Sequence, residues 1–549
     1  MPSLDIRPVS ALVKVFPDAD PGPAYAQGSA LRGEKYSFQI AYRAPRLTKG
    51  ISVKAETGAL PAALHLFRVG LVPAELTGYG DGDDFLLRDA PGLYPDPLYP
   101  LEEGAEITAY PNQWRTLFCS VEIPEDAETG IFPLRVRLES PEGESAETVF
   151  TLSVLSPVLP RQTVLHTDWF ACDCVTTWYQ LTPFTVPWWD MIEKYMENAA
   201  RHGINMLLTP LYTPPLDTRV GGERPTIQLA EIEKSGEHYT FSFERLGRWM
   251  ALCKKHGVEW LEMPHLFTQW GAKFTPKIVV RENGEEKKLF GWHVDAESKD
   301  YKVFLQQYLP TLLNYLKGKW PLNKVCFHLS DEPHENAAEP YARLSAFVRP
   351  LIGDCPLMDA MSSLKLFQAS DLTFPVIATD AAKPFLDAKV QNLWVYYCCG
   401  QYKNRLSNRF FTMSGCRTRV IGLQLYRHGI RGFLHWGYNF WYSGLSIHRL
   451  NPFEVTDAGG YFPSGDAFVV YPGPNGPINS LRMELMLQAF QDHRALTLLE
   501  ACKGREEALR VLEAGIPPIT FTEYPPSDQW LLDVRERINF AIAACQNRS

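Results

Sequence analysis

Hydrophobic and polar residues alternate with a period of two in several short segments of the first 157 residues. This alternation places every second side chain on one buried face, which is typical of β-strands. Turn-forming residues, as in segment 124–130, separate the segments. The clearest examples are residues 36–42, 116–121, 132–138 and 148–155. The pattern predicts an antiparallel β-sandwich domain over residues 1–157.

The pattern changes after a proline-containing linker at residues 156–160. Short apolar segments then alternate with longer segments in which apolar residues recur at helical spacing, an order typical of parallel βα units. Helices are predicted at 188–202, 243–256, 299–316 and 416–428. Strands are predicted at 164–169, 205–208, 259–262, 324–329, 357–360, 373–377, 393–397 and 432–436. These eight strands predict a (β/α)₈ TIM-like barrel over residues 162–500, in which the fifth and sixth units have the weakest pattern.

A loop rich in glycine and proline, residues 451–477, follows the eighth predicted strand. Loops of this length in a compact domain are often functional, and its aromatic residues argue against disorder. Helical periodicity returns afterwards, at 480–499, 505–514 and 529–544. Residues 501–549 are therefore predicted to form a C-terminal helical segment, which completes a multidomain fold with β and α/β parts.

The charge pattern argues against two classes of partner. The net charge is −9 and the pI is near 5.9, without any block of like charges, so we expect neither nucleic acid nor a membrane as a partner. No apolar run approaches the ~18 residues of a membrane span. The first residues also lack the basic and apolar pattern of a secretion signal.

The 11 cysteines are odd in number and lie mostly in apolar segments. This usage indicates reduced thiols in a cytoplasmic protein. Cys172, Cys174, Cys398 and Cys399 lack a second pair of ligands at metal-binding spacing, so positions in the core explain them better than a metal site. Aromatic residues make up 12% of the chain, and they supply flat surfaces for sugar rings as well as core volume.

The fourth predicted strand ends in two adjacent carboxyl groups, Asp331 and Glu332, followed by Pro333. Active sites of parallel α/β folds lie at the carboxyl ends of strands, so these two residues are the leading catalytic candidates. Pro333 disfavours the helical conformation for Glu332 and is predicted to hold it extended. The alternative is that the three residues only begin the helix predicted at 334–348.

Two adjacent carboxyl groups favour one kind of glycoside hydrolysis. Ordinary glycosidases place their two carboxyl groups on opposite sides of the scissile bond, which neighbours in sequence cannot easily do. Neighbours can act together if the substrate supplies the nucleophile, as a 2-acetamido group does. One carboxylate then orients the amide N–H, and the other protonates the leaving oxygen.

Four segments together resemble glycoside hydrolase family 123 and the related glycoside-hydrolase-like domain of unknown function. They are residues 328–333, 394–399, 432–441 and 465–473, and the resemblance spans about residues 163–500. It implies retaining release of β-linked N-acetylgalactosamine by acetamido assistance. It also implies Glu332 as general acid/base and Asp331 as the residue that orients the acetamido group, with neither a metal nor an organic cofactor.

Eight further residues are candidates for substrate binding, although positions in the core would explain most of them equally well. The first four are Tyr396, Trp436, Trp441 and His328. The Tyr396 hydroxyl is expected to donate to the acetamido oxygen, and Trp436 and Trp441 to form a platform under the sugar. His328 shares a strand face with Glu332 and could tune it, while a hydrogen-bonded core histidine is the simpler alternative.

The other four candidates lie at the first strand and in the long loop. Asp168 and Trp169 end the first predicted strand and are expected to contact sugar hydroxyls. Asp466 and Tyr471 are expected to close over the site from the loop, with a structural turn as the alternative. The family resemblance leads us to expect a histidine where Ala171 stands, so the preference for galactosamine over other amino sugars is open.

The sequence thus predicts a retaining exo-β-N-acetylhexosaminidase for small or oligosaccharide substrates with a terminal β-linked amino sugar, with N-acetylgalactosamine preferred. Two alternatives stay open. The first is a glycosidase for sugars without the acetamido group, in which Glu262 at the end of the third strand would be the nucleophile. The second is a non-catalytic carbohydrate-binding protein on a degraded barrel. The sequence does not determine the oligomeric state.

Overall fold

Ten β-strands pack as two five-stranded sheets in the amino-terminal part of a computed structural model, which describes residues 4–83 and 85–546. Residues 1–3, 84 and 547–549 of the predicted domains lie outside the described residues. The strands are β1 (Asp5–Ser10), β2 (Gln27–Arg32), β3 (Lys35–Arg43), β4 (Thr48–Glu56), β5 (Leu64–Ala74), β6 (Gly92–Pro100), β7 (Glu106–Ala109), β8 (Arg115–Glu122), β9 (Gly130–Glu139) and β10 (Ser145–Val158).

The alternating pattern of the sequence accounts for this sandwich. Along β9, residues 132, 134, 136 and 138 are buried and residues 133, 135 and 137 are exposed. The two sheets have the orders β1-β3-β8-β5-β6 and β2-β10-β9-β4-β7. One pair departs from the antiparallel prediction, because β2 runs parallel to β10.

Strands and helices alternate in the rest of the chain. The strands are β11 (Leu165–Asp168), β12 (Met206–Leu208), β13 (Glu231–Ser235), β14 (His238–Ser242), β15 (Trp260–Glu262), β16 (Ile278–Glu282), β17 (Glu285–Phe290), β18 (Val325–Cys326), β19 (Met358–Ala360), β20 (Phe374–Ala378), β21 (Trp394–Tyr396), β22 (Gly432–His435), β23 (Val470–Gly473) and β24 (Gly476–Asn479).

The helices cover the strands and close the chain. They are α1 (Cys172–Trp178), α2 (Val186–Arg201), α3 (Glu244–Lys255), α4 (Lys299–Leu316), α5 (Ala338–Ile352), α6 (Leu364–Gln368), α7 (Ala382–Asp387), α8 (Gly415–Arg419), α9 (Ile421–His428), α10 (Leu481–Lys503), α11 (Arg505–Leu512) and α12 (Asp528–Gln546). The described helices include no segment long and apolar enough to span a membrane.

Each predicted barrel segment contains a parallel strand in the described structure. The ladders form two arcs, a five-stranded arc β11-β22-β21-β20-β19 and a three-stranded arc β12-β15-β18. At one seam a single bridge joins Phe327 to Leu357. At the other seam the Asn205 amide donates to the His166 carbonyl over 3.2 Å. The structure therefore shows a half-barrel sheet with a second arc beside it, and the predicted closed barrel is not shown as one continuous ladder.

The strands of both arcs are buried on both faces, as is usual for parallel sheets covered by helices. In β12, Met206 and Leu208 belong to the cluster between the arcs, and Leu207 belongs to the larger cluster under the helices. In β15, Trp260 likewise belongs to the cluster between the arcs, and Leu261 belongs to the cluster under the helices. Continuous apolar runs follow from this double burial, which is why these segments lack the alternation of the sandwich.

Two parts of the fold were not predicted from the sequence. A four-stranded sheet, β14-β13-β16-β17, consists of two hairpins that are inserted in the sequence between β12 and α3 and between β15 and α4. The long loop after β22 contains the hairpin β23–β24. Both parts consist of short strands whose partners are also short, so their sequence pattern is weak.

The C-terminal helices do not form a separate core. Side chains of α10, α11 and α12 share one hydrophobic cluster with α8, α9 and the sandwich. Arg535 of α12 donates to Asp492 of α10 over 2.9 Å and to Glu34 of the sandwich over 2.7 Å. All three side chains are nearly inaccessible to solvent. A buried charge network therefore ties the tail to both other parts of the chain.

We expect the substitution Arg535→Met to lower the free energy of unfolding by about 3 kcal/mol, because Glu34 would remain buried without its cation. Urea denaturation of the full chain measures the effect. Arg510→Met is the control, since Arg510 pairs with Glu507 at the surface. An equal shift of the urea midpoint in both variants would contradict the structural role of the buried network.

Candidate active site

A cavity of about 160 Å³ opens at the carboxyl ends of the parallel strands. Among the described residues its wall contains three carboxyl groups, Asp217, Asp331 and Glu332, and no lysine, arginine or histidine. The volume corresponds to on the order of ten water-sized positions, which is the scale of one sugar ring. The aromatic side chains of the wall are Trp169, Trp270, Tyr396, Trp436 and Phe462.

A larger groove of about 740 Å³ lies elsewhere, beside the inserted sheet. Its wall includes Glu231, Arg245 and Arg281, and it contains none of the residues predicted for the site. Arg245 and Glu231 pair with each other at 2.9 Å. The cavity of about 160 Å³ is therefore the candidate active site, because its wall, unlike that of the groove, contains the predicted carboxyl pair.

The backbone turns sharply at Asp331 and Glu332. The hydrogen-bonded strand β18 ends at Cys326, earlier than predicted, and Glu332 has a φ of +44°. The prediction that Pro333 holds Glu332 extended is therefore wrong. Successive side chains of an extended strand point to opposite faces, whereas the turn lets both carboxyl groups line one cavity. A left-handed conformation at a non-glycine residue costs roughly 1–3 kcal/mol and is typical of functional sites.

Neighbouring backbone groups hold this turn in place. The Trp270 amide donates to the Asp331 carbonyl over 2.8 Å. The Ser330 hydroxyl donates to the Thr268 carbonyl over 2.9 Å. The loop after β15 therefore fixes the position of the carboxyl pair.

Tyr396 contacts the carboxyl pair directly. Its hydroxyl donates to Glu332 Oε1 over 2.5 Å. Burial, and then the charge of Glu332, raise the pKa of Tyr396 well above its usual value, so the phenol keeps its proton. The structure thus places Tyr396 where it can donate to Glu332 or to a ligand in the same cavity.

The two carboxyl groups influence each other. Burial raises the pKa of Asp331 well above its ordinary value, and the charge of Glu332 raises it further. Within the described part of the chain, no side chain donates a hydrogen bond to the Asp331 carboxyl group. The pair therefore tends to hold one proton, which supplies an acid and a base at the same place.

A buried charge network lies behind the pair. His328 contacts Glu262 Oε1 through Nε2 at 2.8 Å and Asp359 Oδ1 through Nδ1 at 3.2 Å. Burial opposes protonation, but the bonds to Asp359 and Glu262 raise the pKa of His328 to about 9. Asp359 also accepts bonds from the backbone amides of Leu329 and Ser330. His328 therefore supports the turn as an imidazolium and does not line the cavity.

Glu262 is unsuited to the nucleophilic role considered from the sequence. Its Oε1 accepts bonds from His328 and from Trp169 Nε1, the latter over 2.8 Å, and its Oε2 accepts a bond from the Thr167 hydroxyl over 2.5 Å. The residue is fully buried and is absent from the wall of the cavity. Its carboxylate therefore orients Trp169, which does line the cavity, and holds the charge of His328.

His265, His328 and Asp359 form a cluster of groups that metal ions often use. The His265 and His328 rings stack with centroids 4.2 Å apart and an interplanar angle of 23°. A metal ion lies close to the plane of each imidazole that binds it. The nitrogens of two stacked rings point along nearly parallel planes, so this geometry does not suit binding of one ion by both rings. Burial and the charge of His328 lower the pKa of His265 well below its usual value, so it is a neutral partner in the stack.

Asp168 is buried beneath the cavity, contrary to the expectation that it contacts sugar hydroxyls. Arg409 Nη1 donates to its Oδ2 over 2.8 Å, and His166 lies 3.1 Å from its Oδ1. Burial alone would raise the pKa of Asp168, but the charges of Arg409 and His166 lower it below its ordinary range. Arg409 also donates to His435 Nδ1 over 2.6 Å. Asp168 therefore serves a structural charge network.

Asp466 acts on the cavity through Trp436. Its Oδ2 accepts a bond from Trp436 Nε1 over 2.9 Å, while the carboxyl group itself is fully buried. Trp436 lines the cavity beside Trp169. The structure therefore brings both of these tryptophans to the site and places Asp466 behind one of them, instead of over the opening.

Trp441 and Tyr471 lie away from the wall of the cavity. Trp441 Nε1 donates to the Val470 carbonyl over 3.2 Å. The Tyr471 hydroxyl donates to Asp96 of the sandwich over 2.6 Å, and Arg482 holds the same carboxylate. The expectations of a sugar platform at Trp441 and of a lid at Tyr471 are therefore corrected to structural roles in the core.

Ala171 borders a second, smaller cavity of about 30 Å³. This cavity shares Trp169, Leu216, Asp217 and Trp436 with the first one. The small side chain at position 171 therefore borders a space that adjoins the candidate site.

Sequence reasoning missed several residues of the cavity, including Asp217, Gln269, Trp270 and Phe462. Asp217 follows β12 in a loop rich in proline and glycine, and burial raises the pKa of its carboxyl group to about 6. A search of the loops at the carboxyl ends of all predicted strands would have included Asp217 and Gln269. Cys398 and Cys399, interpreted as core residues from the sequence, are half-buried and line the cavity.

Comparisons with known proteins agree with this architecture. A family model described as "Glycoside hydrolase 123, catalytic domain" matches residues 169–499. A solved family 123 glycoside hydrolase from Clostridium perfringens is 14% identical, with a TM-score of 0.73 over 99% of this chain and 98% of that chain. It was studied for glycolipid glycan hydrolysis.

Two other solved structures are more distant. A putative glycoside hydrolase from Bacteroides vulgatus is 12% identical, with a TM-score of 0.34 over 87% of this chain and 79% of that one. A GH5 xyloglucanase from Bacteroides ovatus is 8% identical, with a TM-score of 0.32 over 85% and 98%. A search of curated proteins finds no match.

The His328 network makes a prediction about pH. The folded pKa of about 9 exceeds the unfolded value of about 6.5, so the stabilisation is fully present below pH 6.5 and is lost as the pH rises through 9. Its size is up to about 3 kcal/mol. The stability difference between the wild type and His328→Gln should therefore be large at pH 6 and small near pH 10, as measured by urea denaturation.

A matched control for this prediction is His334→Gln. His334 lies four residues after Ser330, just beyond the turn, and its side chain is exposed. This variant should show no such pH-dependent difference. A difference for His328→Gln that stays constant over the same pH range would show that His328 is neutral in the folded protein.

Proposed function

Because the chain belongs to glycoside hydrolase family 123, we propose that it is a retaining exo-β-N-acetylhexosaminidase that prefers N-acetylgalactosamine and uses the substrate's acetamido group as its nucleophile. Family membership gives the reaction class, hydrolysis of a glycosidic bond. The observation that carries the proposal is that Asp331 and Glu332, adjacent in sequence, line one cavity of about 160 Å³. A pair so placed suits acetamido assistance better than attack from opposite sides of the sugar.

In the first step of this mechanism Glu332 gives its proton to the glycosidic oxygen as the acetamido oxygen attacks the anomeric carbon. Asp331 accepts a hydrogen bond from the amide N–H and stabilises the positive charge that develops on the forming oxazoline ring. The tethered nucleophile has a high effective molarity. In the second step Glu332 removes a proton from water, which opens the oxazoline on the opposite face, so the two inversions give net retention.

The surrounding side chains support these two roles. The carboxyl pair supplies the acid, because an amide N–H that donates to Asp331 favours its charged form and moves the proton to Glu332. Tyr396 donates a hydrogen bond to Glu332 until a substrate acetamido oxygen accepts that hydrogen bond instead. Trp436, whose indole Asp466 orients, offers a flat surface at the cavity wall for the sugar ring. A cavity the size of one ring favours exo action on a terminal sugar.

Two structural expectations belong to the same proposal. We propose that the two arcs enclose one (β/α)₈ barrel, which the shared hydrophobic cluster between them supports. We also keep the prediction of a cytoplasmic enzyme, which rests on the cysteine usage alone.

The substitution Glu332→Gln is expected to lower kcat/KM for an aryl β-N-acetylgalactosaminide by at least about 10³-fold, since it removes the general acid/base. Asp331→Asn should also lower kcat, because the amide cannot stabilise the charged oxazoline. Glu335→Gln is the matched control, since Glu335 lies in the short 3₁₀ turn Glu335–Ala337 that follows the carboxyl pair and its Oε1 accepts a bond from the Ser363 hydroxyl. Equal hydrolysis by Glu332→Gln and the wild type would refute the assignment.

A second candidate function is hydrolysis of a sugar that lacks the acetamido group. The specific observation in its favour is a third carboxyl group, Asp217, in the wall of the same cavity. Asp217 replaces Glu262 as the residue to consider as a nucleophile. The remaining alternative, a carbohydrate-binding protein without activity, would show ligand binding without turnover.

An N-acetylgalactosamine-derived thiazoline separates these candidates, because it mimics the oxazoline intermediate. We expect competitive inhibition in the wild type and binding at least about tenfold weaker in Asp331→Asn. Hydrolysis of an aryl β-galactoside without inhibition by the thiazoline would instead favour the second candidate.

A further inference from the structure

Asp217 has a geometry that the proposed mechanism leaves unused. Its Oδ2 accepts a bond from the Leu445 amide over 2.9 Å, and its carbonyl accepts a bond from the Ser446 hydroxyl over 2.6 Å. Among the residues that the structure describes, no group donates to its Oδ1. The residue lines both the main cavity and the smaller cavity beside it. One carboxyl oxygen is therefore anchored, and the other is available to a ligand.

The backbone around this anchor is strained. Asp217, Leu445 and Ser446 have φ values of +38°, +57° and +53°. Each left-handed non-glycine residue costs roughly 1–3 kcal/mol, and such residues persist where the surrounding structure fixes them. The two loops therefore hold the Asp217 carboxyl group at a defined place in the wall.

The charges around Asp217 restrict what it can bind. The cavity wall has three carboxyl groups and, among the described residues, no cationic side chain. Arg224 borders the smaller cavity, but its guanidinium is engaged by Asp173 over 2.8 and 2.6 Å. At neutral pH, above the Asp217 pKa of about 6, a ligand group next to Asp217 Oδ1 therefore has to donate a hydrogen bond, and an anionic group there would meet uncompensated negative charge.

We propose that Asp217 is a specificity-determining residue that accepts hydrogen bonds from hydroxyl groups of the terminal sugar and rejects sugars with a sulfate or carboxylate on that side. The inference rests on the proposed function, because it assumes a sugar in this cavity. It extends that function by assigning the substrate class as an uncharged terminal amino sugar. Such a site is selective because a substrate without the matching hydroxyl group leaves the polar group of the site without its hydrogen-bond partner.

The test compares sugar binding in proteins that cannot turn over. On a Glu332→Gln background, calorimetry measures binding of N-acetylgalactosamine and of its 6-sulfate, with and without Asp217→Asn. Asparagine keeps an oxygen for the Leu445 amide but removes the charge. We expect about tenfold weaker binding of the neutral sugar, as for loss of a hydrogen bond to a charged group. We also expect the preference for the neutral sugar over the sulfate to shrink at least about tenfold.

Ser446→Ala is the matched control, since it loosens the same contact between loops without reaching the cavity. It should change the affinities for both sugars alike and leave their ratio intact. The proposal is overturned if Asp217→Asn behaves like Ser446→Ala, or if neither sugar binds to the Glu332→Gln protein.

Kinetics in the Glu332 wild-type background give a second readout. If Asp217 binds the sugar as proposed, Asp217→Asn raises KM more than it lowers kcat. A loss of kcat beyond about 10⁴-fold that azide restores would identify Asp217 as a nucleophile and overturn the inference. Absence of N-acetylgalactosaminide hydrolysis by the wild type would refute the proposed function, whereas the binding experiment would still decide the role of Asp217.

Discussion

The protonated His328 ring between Glu262 and Asp359 is the interaction on which the site depends. Its two carboxylate partners lie on β15 and β19, on either side of the segment that continues β18 and carries His328, so one cation joins both arcs of the parallel sheet. Asp359 also binds two backbone amides just before Asp331. Charges buried this deeply are tolerated only when they are paired and hydrogen-bonded. The same pairing that keeps the core stable therefore fixes the turn that carries Asp331 and Glu332.

Buried ion pairs and carboxyl groups without cationic partners lie at different depths in this protein. Arg409 lies beneath the cavity, where it binds Asp168 and His435. The wall above it has carboxyl groups and aromatic rings, and among the described residues no cation. Acids without cationic partners retain protons at higher pH than exposed ones. The fold thus keeps its structural ion pairs away from the carboxyl groups of the cavity wall.

The sandwich is part of the support for the site. Asp83, in the loop between β5 and β6, binds Arg417 of α8 through two bonds of 2.8 and 2.9 Å. Asp96 of β6 binds Arg482 and Tyr471. These contacts fix the segments that follow β21 and β22, from which the cavity takes Cys398, Cys399 and Phe462. The sandwich therefore stabilises the loops of the catalytic part through buried ion pairs.

The parallel strands and the acidic pair follow from the amino-acid pattern, because double burial leaves continuous apolar runs and because Asp331 and Glu332 are neighbours at the end of one of them. The conformation of Glu332 depends on long-range contacts, since the loop after β15 outweighs the local preference set by Pro333. Long-range contacts also select the aromatic residues that line the cavity. Trp436 and Trp441 both follow β22 closely in the sequence, but only Trp436 of the two lies in the cavity wall. Asp217 was missed because its anchor, Leu445, is 228 residues away.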